Sequence, residues 1–358
     1  VVSDCWALRD IHEHHKVTNT FAESAALAVK AGCDLNCGCT YEHLPEAVKL
    51  GLVSEAGLDV CLRRLFRARM ELGLFDSDDR VPYASIPYEV NDSPRHRELA
   101  LVAARESMVL LKNQGGLLPL PRDINSIAVI GPYASDDLVL VGNYHGTPSR
   151  SVTPLEGIFA AVSPETKVWY AQGCGLTGDR PRGLGRSAIL LEAVSVGERG
   201  DAVVLCLGLS ADIEGEQGDV SNSEAAGDKA HLNLTGLQDR LLRDVVAVGK
   251  PTVLVLVRGS ALAVGWAAGR VGAILQAWYP GEEAGTALAD VLFGNYSPAG
   301  RLPITFPRSL DDVPDFKSYA MTGRTYRFLD KEPLFPFGYG LTYTRFEYSD
   351  AALSATAI

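Results

Sequence analysis

The chain has 358 residues, 47% of them hydrophobic, and a formal net charge of -11 at pH 7. This is enough apolar sequence for two domains with substantial cores, and no run of about 18 apolar residues is present to form a membrane-spanning helix. The negative charge is spread along the chain, which argues against a nucleic-acid-binding protein and is compatible with a neutral small substrate.

The opening residues 1–6, VVSDCW, predict a buried strand whose C-terminal end carries polar chemistry. In α/β proteins, active sites lie at such strand ends. Asp4 is therefore the leading catalytic candidate. The alternative for a lone aspartate after a strand is a helix cap or a turn former.

The next stretch alternates between helical and strand patterns. An Ala-rich helix is predicted at 21–31, a short strand at 33–36, and helices at 42–50 and 55–72, the last with Ser54 as N-cap. Two parallel βα units are indicated, and a parallel sheet needs more strands than two. We interpret residues 1–75 as the last units of a (β/α)8 barrel, a fold of about 250 residues whose earlier units are expected to precede this sequence.

A polar, proline-bearing linker is predicted at 76–93, followed by a helix from Pro94 to about residue 111. Strands at 127–130, 202–207, 252–257 and 273–277 alternate with helices that include 154–161 and 237–248. This order predicts a doubly wound α/β sandwich domain over 94–340. A further strand at 345–348 suggests that a third, β-rich module begins within 341–358.

Seven cysteines occur in mostly apolar settings, and their odd number favours buried free thiols in a reducing compartment such as the cytoplasm. A Cys5–Cys37 bridge is the alternative. Cys37 and Cys39 lack a second pair at zinc spacing, so no metal site is predicted there. The histidines of the segment beginning at His12 do not share a helical face, which favours a solvated loop over a zinc-binding helix.

The acidic, glycine-bearing segment 208–235 is too long for an ordinary connection. Loops of this length in a compact domain are usually functional or disordered. Its centre, EGEQGD at 214–219, carries two glutamates, and a solvated acidic loop is the alternative interpretation.

Beyond Ser3-Asp4-Cys5, the chain contains several long motifs of low degeneracy: AARESMVLLKN (103–113), IAVIGPYA (127–134), GNYHGTPS (142–149), EGEQGD (214–219), QAWYPGEEAG (276–285), VLFGNYSPAGRLPITF (291–306), GRTYRF (323–328) and PFGYGLTY (336–343). With these motifs the chain resembles the family 3 glycoside hydrolases, the β-glucosidase and β-xylosidase group, over nearly its whole length.

The resemblance implies a retaining glycosidase built from a (β/α)8 barrel, an α/β sandwich and often a fibronectin type III-like module. Asp4 matches the nucleophile of the family and Glu216 matches its general acid/base, with Glu214 as runner-up. Retention requires two carboxyl groups about 5–5.5 Å apart, one ionised and one protonated. A largely buried aspartate and a loop glutamate in drier surroundings would separate their pKa values. No metal or organic cofactor is implied.

The resemblance also bears on the substrate, an oligosaccharide or an aryl or alkyl glycoside. We predict exo-acting hydrolysis of terminal β-D-glucosyl residues. Many β-glucosidases of the family have Trp directly after the nucleophile, whereas Cys5 and then Trp6 are similar to the xylosidase and arabinofuranosidase branch, which is the alternative. Trp6 and Arg9 are candidate sugar contacts, with core and loop roles as their respective alternatives. A catalytically inactive fragment that lacks most of the barrel is a further alternative.

Overall fold

The computed structural model describes residues 1–177, 186–215, 229–350 and 352–355. Val1–Val90 and Asn91–Ile358 form two compact units. Within the described ranges, every helix is too short or too polar to cross a membrane.

The first unit is mainly helical. Its helices are α1 (Ala7–Glu13), α2 (Phe21–Lys30), α3 (Leu44–Lys49) and α4 (Glu55–Glu71), with 3-10 turns at Thr40–His43, Asp78–Arg80 and Tyr88–Val90. The predicted helices at 21–31 and 55–72 are confirmed, and the Ser54 hydroxyl caps α4 by accepting from the Gly57 amide. The predicted helix at 42–50 forms as a 3-10 turn followed by α3.

The two strands predicted in the first unit meet in parallel, but only through one bridge, between Val2 and Leu35. Side chains of α2, α3 and α4, among them Ala22, Ala47 and Cys61, form a small core in this unit. The barrel itself stays a prediction.

In the part of the second unit that the structure describes, the strands form one six-stranded sheet. Its strands are β1 (Val109–Asn113), β2 (Ser126–Ile130), β3 (Lys167–Ala171), β4 (Ala202–Gly208), β5 (Thr252–Val257) and β6 (Ala273–Trp278). The spatial order is β1-β6-β5-β4-β2-β3, with β1 antiparallel to β6 and all other neighbours parallel. The four strands predicted from apolar runs are confirmed, and the sheet has the mixed, mostly parallel character of an α/β fold.

The helices of this unit are α5 (Pro94–Ser107), α6 (Pro154–Ala161), α7 (Arg186–Arg199), α8 (Gln238–Val246), α9 (Gly265–Ala268), α10 (Ala284–Leu292) and α11 (Thr325–Phe328), with 3-10 turns at Gln114–Gly116, Leu138–Leu140 and Leu310–Asp312. Along β4, alternate residues face opposite cores: Val204 packs with α6 and α10 side chains, whereas Leu205 packs with those of α8. Burial on both faces explains the nearly continuous apolar runs of the parallel strands.

Two predictions for this unit are wrong. The predicted helix from Pro94 to residue 111 ends at Ser107, and Val109–Asn113 forms β1 instead. Val109 and Leu110 are fully buried there, so pairing with β6 outweighs the local helical pattern. The predicted strand at 345–348 is not formed.

Gly131, at the end of β2, makes a backbone contact that no side chain permits. Its φ is +119°, and a Cβ would lie 2.0 Å from the Cys206 carbonyl oxygen. We expect Gly131→Ala to lower the free energy of unfolding by about 3–5 kcal/mol, through overpacking and backbone strain together. Urea unfolding measures the change.

Gly249→Ala is the matched control for this substitution. Gly249 also has a positive φ, of +79°, but no atom of the described residues lies within 4 Å of its Cβ position. Because Gly249→Ala adds backbone strain without overpacking, we expect it to lower the free energy of unfolding by only about 1 kcal/mol. Equal losses for the two variants would contradict the packing explanation.

Candidate active site

Asp4 lies at the end of the opening segment, and the residue before it is held by hydrogen bonds to the parallel segment 35–37. The Ser3 amide donates to the Leu35 carbonyl at 2.9 Å, and the Ser3 hydroxyl accepts from the Cys37 amide at 3.0 Å. The Asp4 carboxylate accepts only from the neighbouring Cys5 amide, at 2.7 Å, among the described residues. Asp4 is exposed in the first unit, so the expectation of a largely buried aspartate is not met there.

A disulfide joins Cys5, the residue after Asp4, to Cys37. The preference for free thiols is therefore wrong for these two cysteines, and the alternative of a Cys5–Cys37 bridge is the one observed. The other five cysteines are free. Burial raises the pKa of the Cys174 and Cys206 thiols to about 12, so these two remain protonated and unreactive at neutral pH.

Trp6 precedes helix α1 in a left-handed conformation and is 52% exposed, so a core role in this unit is not supported. The Arg9 guanidinium lies 5.4 Å from the centroid of the indole ring and forms an ion pair with Glu13. His12 is buried within α1 rather than in a loop, because it packs against Phe21. The loop interpretation of the histidine segment is wrong at His12.

In the second unit, polar side chains gather where neighbouring parallel strands end. Tyr133 follows β2, Glu214 follows β4, Arg258 follows β5 and Tyr279 follows β6. The strand order reverses between β2 and β4, and open parallel sheets bind ligands in the crevice at such a switch point. The carboxyl ends of these strands are therefore the candidate functional region of this unit.

Glu214 accepts four hydrogen bonds from three residues. The Gly259 amide donates to Oε2 at 2.7 Å and the Ser260 amide to Oε1 at 2.9 Å. The hydroxyl groups of Ser260 and Tyr279 each donate to one carboxylate oxygen as well. Glu214 is thus held as an acceptor on both oxygens.

The acidic loop leaves β4 through a tightly held turn. The Ile213 and Glu214 amides both donate to the Ser210 carbonyl at 2.9 Å, and Ile213 is 1% exposed. Glu216, the predicted acid/base, lies outside the described residues.

A cavity of about 880 Å³ adjoins the described parts of the acidic loop. Its wall includes Gly215, Lys229 and His231 from that loop, Ser260 after β5, and Phe316 and Arg324 from the C-terminal region. This mixture of apolar surface and a few polar groups is typical of small-molecule pockets. Within the described ranges, no group of three or more His, Cys, Asp or Glu residues is arranged to hold a metal ion.

The two glutamates of the YPGEEAG motif, Glu282 and Glu283, form ion pairs with helix α5. Arg97 of α5 donates to Glu282 at 3.0 Å and also pairs with Glu283. Both carboxylates are thereby engaged in positioning α5. Sequence reasoning did not single out Arg258, Ser260 or Tyr279, whose partners are distant in the chain; the clustering of motifs after successive strands was the only available signal.

A model described as the glycosyl hydrolase family 3 C-terminal domain matches residues 108–343. The chain is 30% identical to a xylan 1,4-beta-xylosidase of Xylanibacter ruminicola, covering 99% of this chain and 57% of that protein. It is 36% identical to a periplasmic beta-glucosidase of Salmonella typhimurium, covering 99% and 49% respectively.

The fold is likewise similar to solved structures. A family 3 exo-beta-xylosidase in complex with a xylobiose aziridine activity-based probe superposes with a TM-score of 0.82 at 30% identity, covering 96% of this chain and 44% of that one. The chain spans about half the length of the curated relatives that it matches.

Proposed function

Because the chain belongs to glycoside hydrolase family 3, we propose that the native polypeptide containing it is a retaining, exo-acting β-glycosidase. Asp4 is the nucleophile and Glu216 the general acid/base. Residues 1–75 contribute the last units of a (β/α)8 barrel, 94–340 an α/β sandwich, and 341–358 the start of a fibronectin type III-like module. The observation that carries the proposal is the family match, together with Asp4 at the end of the Val2–Leu35 bridged segment.

In the first chemical step, the Asp4 carboxylate attacks the anomeric carbon of the terminal sugar. The bond to the glycosidic oxygen breaks, and Glu216 transfers its proton to that oxygen, so the aglycone leaves as a neutral alcohol. The product on the protein is a glycosyl ester of Asp4.

In the second step, the Glu216 carboxylate takes a proton from a water molecule. The water oxygen attacks the anomeric carbon and displaces Asp4 as a carboxylate, which restores both residues and gives the sugar with its original anomeric configuration. Two inversions explain the retention.

We propose D-glucose as the preferred terminal sugar, and the beta-glucosidase among the relatives supports this choice. A second candidate, a β-xylosidase or α-arabinofuranosidase, is favoured by one observation. The Cys5–Cys37 disulfide fixes the chain directly after Asp4. A pentosyl group lacks the hydroxymethyl substituent of glucose and so needs less space beside a fixed chain. The xylosidase relative supports this candidate equally.

Covalent trapping tests the nucleophile and the sugar together. The native polypeptide is incubated with 2-deoxy-2-fluoro-β-glucoside or the matching xyloside, and the labelled peptide is identified by mass spectrometry. We expect one adduct, on Asp4, because the fluorine slows hydrolysis of the ester. The faster-labelling sugar identifies the preferred substrate.

Asp10, in helix α1, is the internal control for nonspecific labelling. Its carboxylate is also solvent-accessible but lies against His14, at 2.8 Å. An adduct on a different carboxylate, or no adduct in protein that turns over glycosides, would refute the assignment of Asp4.

A further inference from the structure

We propose that Glu214 is a positioning residue, which anchors the start of the acidic loop so that Glu216 meets the glycosidic oxygen. This inference rests on the proposed function, because it takes Glu216 as the acid/base. It assigns to the first glutamate of the EGEQGD motif a role distinct from proton transfer.

The contacts of Glu214 are those of an anchor. Both carboxylate oxygens accept hydrogen bonds from the Gly259-Ser260 turn, and the Tyr279 hydroxyl adds another donor. The main chain is also held, since Asn143 donates through Nδ2 to the Glu214 carbonyl at 3.1 Å. A residue fixed at both its side chain and its main chain suits positioning better than proton shuttling.

Tyr279 is directed to this carboxylate by an irregularity at the end of β6. The pairing register between β5 and β6 shifts at Val257, which is opposite Trp278, and Trp278 has a positive φ. Bulges of this kind re-aim side chains beside active sites. Burial, together with the neighbouring Glu214 carboxylate, raises the pKa of Tyr279 well above its ordinary value. Its hydroxyl therefore remains a donor over the whole working range of pH.

Two glycines make room for this arrangement. A Cβ on Gly142 would lie 3.2 Å from the Tyr279 ring. A Cβ on Gly259 would lie 3.0 Å from the same ring and 3.1 Å from Oε2 of Glu214. The GNYHGTPS motif and the turn after β5 thus pack directly against the Tyr279–Glu214 pair.

Arg258 supplies a buried positive charge that is attracted by the Glu214 carboxylate. It is 0% exposed, donates to the Ser260 carbonyl, and lies with its guanidinium 4.6 Å from the Phe306 ring centroid. Burial lowers the pKa of Arg258 to about 9, and the attraction of the Glu214 carboxylate opposes that shift. Arg258 is therefore protonated at neutral pH, and Glu214 is its counter-charge.

The anchor acts on Glu216 through a short length of chain. Two residues of extended backbone span at most about 7 Å, so holding Glu214 limits where the next carboxyl group of the motif can go. A misplacement of about 1 Å at a reacting group costs on the order of 10²-fold in rate. Loss of the anchor is therefore expected to weaken catalysis without removing the proton donor.

The test compares Glu214→Gln, Tyr279→Phe and Glu216→Ala in the native polypeptide, with aryl β-glycosides as substrates. We expect Glu214→Gln to lower kcat by about 10–100-fold with little change in KM. Tyr279→Phe keeps the charges of Glu214 and Arg258 and should lower kcat by about 3–10-fold. The double variant should be no slower than Glu214→Gln, because both substitutions act through the same hydrogen bond. The second variant preserves the test if Glu214→Gln folds poorly.

The pH dependence of kcat/KM and the rate in the presence of azide distinguish a positioning residue from the residue that transfers the proton. With Glu214→Gln and Tyr279→Phe, we expect the alkaline limb of the kcat/KM profile to persist, and azide to give no increase in rate. With Glu216→Ala, that limb should disappear, and azide should restore turnover by forming the β-glycosyl azide. The proposal would be overturned if Glu214→Gln lost the alkaline limb of the profile and azide increased its rate. It would also be overturned if Glu214→Gln had a kcat within twofold of the wild type.

Asp201→Asn is the matched control for a general loss of stability. Asp201 accepts from the amide and the hydroxyl of Ser126, both at 3.1 Å, at the opposite end of the sheet. We expect it to leave kcat within twofold of the wild type. An unchanged pH profile in Glu216→Ala would refute the proposed function itself, whatever the Glu214 variants do.

Discussion

We expect Asp4→Asn to reduce the turnover of β-glycosides on the order of 10⁴-fold or more, because an amide cannot form the glycosyl ester. Asparagine has nearly the same shape and retains an oxygen that can accept from the Cys5 amide, so the fold of the first unit should persist. Steady-state kinetics with aryl glycosides measures the loss. Circular dichroism checks that the variant is folded.

Asp10→Asn is the control for this variant, since it changes a nearby carboxylate in helix α1 without touching the proposed nucleophile. We expect its turnover to remain within a few-fold of the wild type. An Asp4→Asn protein that retained a tenth of the wild-type rate would show that another group forms the covalent bond.

We expect Glu216→Ala to lower kcat/KM by about 10²–10⁴-fold for alkyl glycosides, whose leaving groups need protonation. Substrates with acidic phenol leaving groups need no proton in the first step, so their bond cleavage should slow far less. A series of aryl glycosides with leaving groups of graded pKa measures this difference. The dependence on leaving-group pKa should be much steeper than in the wild type.

Asp219→Asn changes another carboxylate of the same loop and serves as the control. We expect its dependence on the leaving group to match that of the wild type. If Glu216→Ala slowed all substrates equally, the general acid would have to be sought elsewhere.

Much of the second unit follows from local patterns in the sequence. Continuous apolar runs such as 252–257 predict buried parallel strands, and the structure has β5 with those bounds. The amphipathic pattern of 237–248 predicts a helix in the same way, and the structure has α8 there. β5 was predictable because burial on both faces leaves a continuous apolar run, and α8 because burial on one face leaves a helical period.

Other elements depend on partners far away in the chain. Val109–Asn113 has the composition of a helix continuation, and only its pairing with β6, more than 150 residues later, makes it a strand. The Cys5–Cys37 bridge was one of two interpretations, because spacing alone does not determine which thiols meet.

The candidate site shows the same limit. Asp4 and the EGEQGD motif could be singled out from the sequence, because a strand end and a long acidic loop are local features. The contacts of Glu214 could not be predicted from the sequence, since its donors come from residues 45 to 65 positions away. The role of an acidic residue depends on which donors reach it in the folded chain.

The antiparallel pairing of β1 has a consequence for how the sheet terminates. A terminal strand with free backbone groups invites pairing with a second molecule. Here the Leu341 amide donates to the Leu110 carbonyl at 2.8 Å, and the Gly300 amide donates to the Met108 carbonyl at 3.1 Å. Leu341 of the PFGYGLTY motif and Gly300 thus occupy backbone acceptors along this edge, which leaves fewer of them for pairing with a strand of a second molecule.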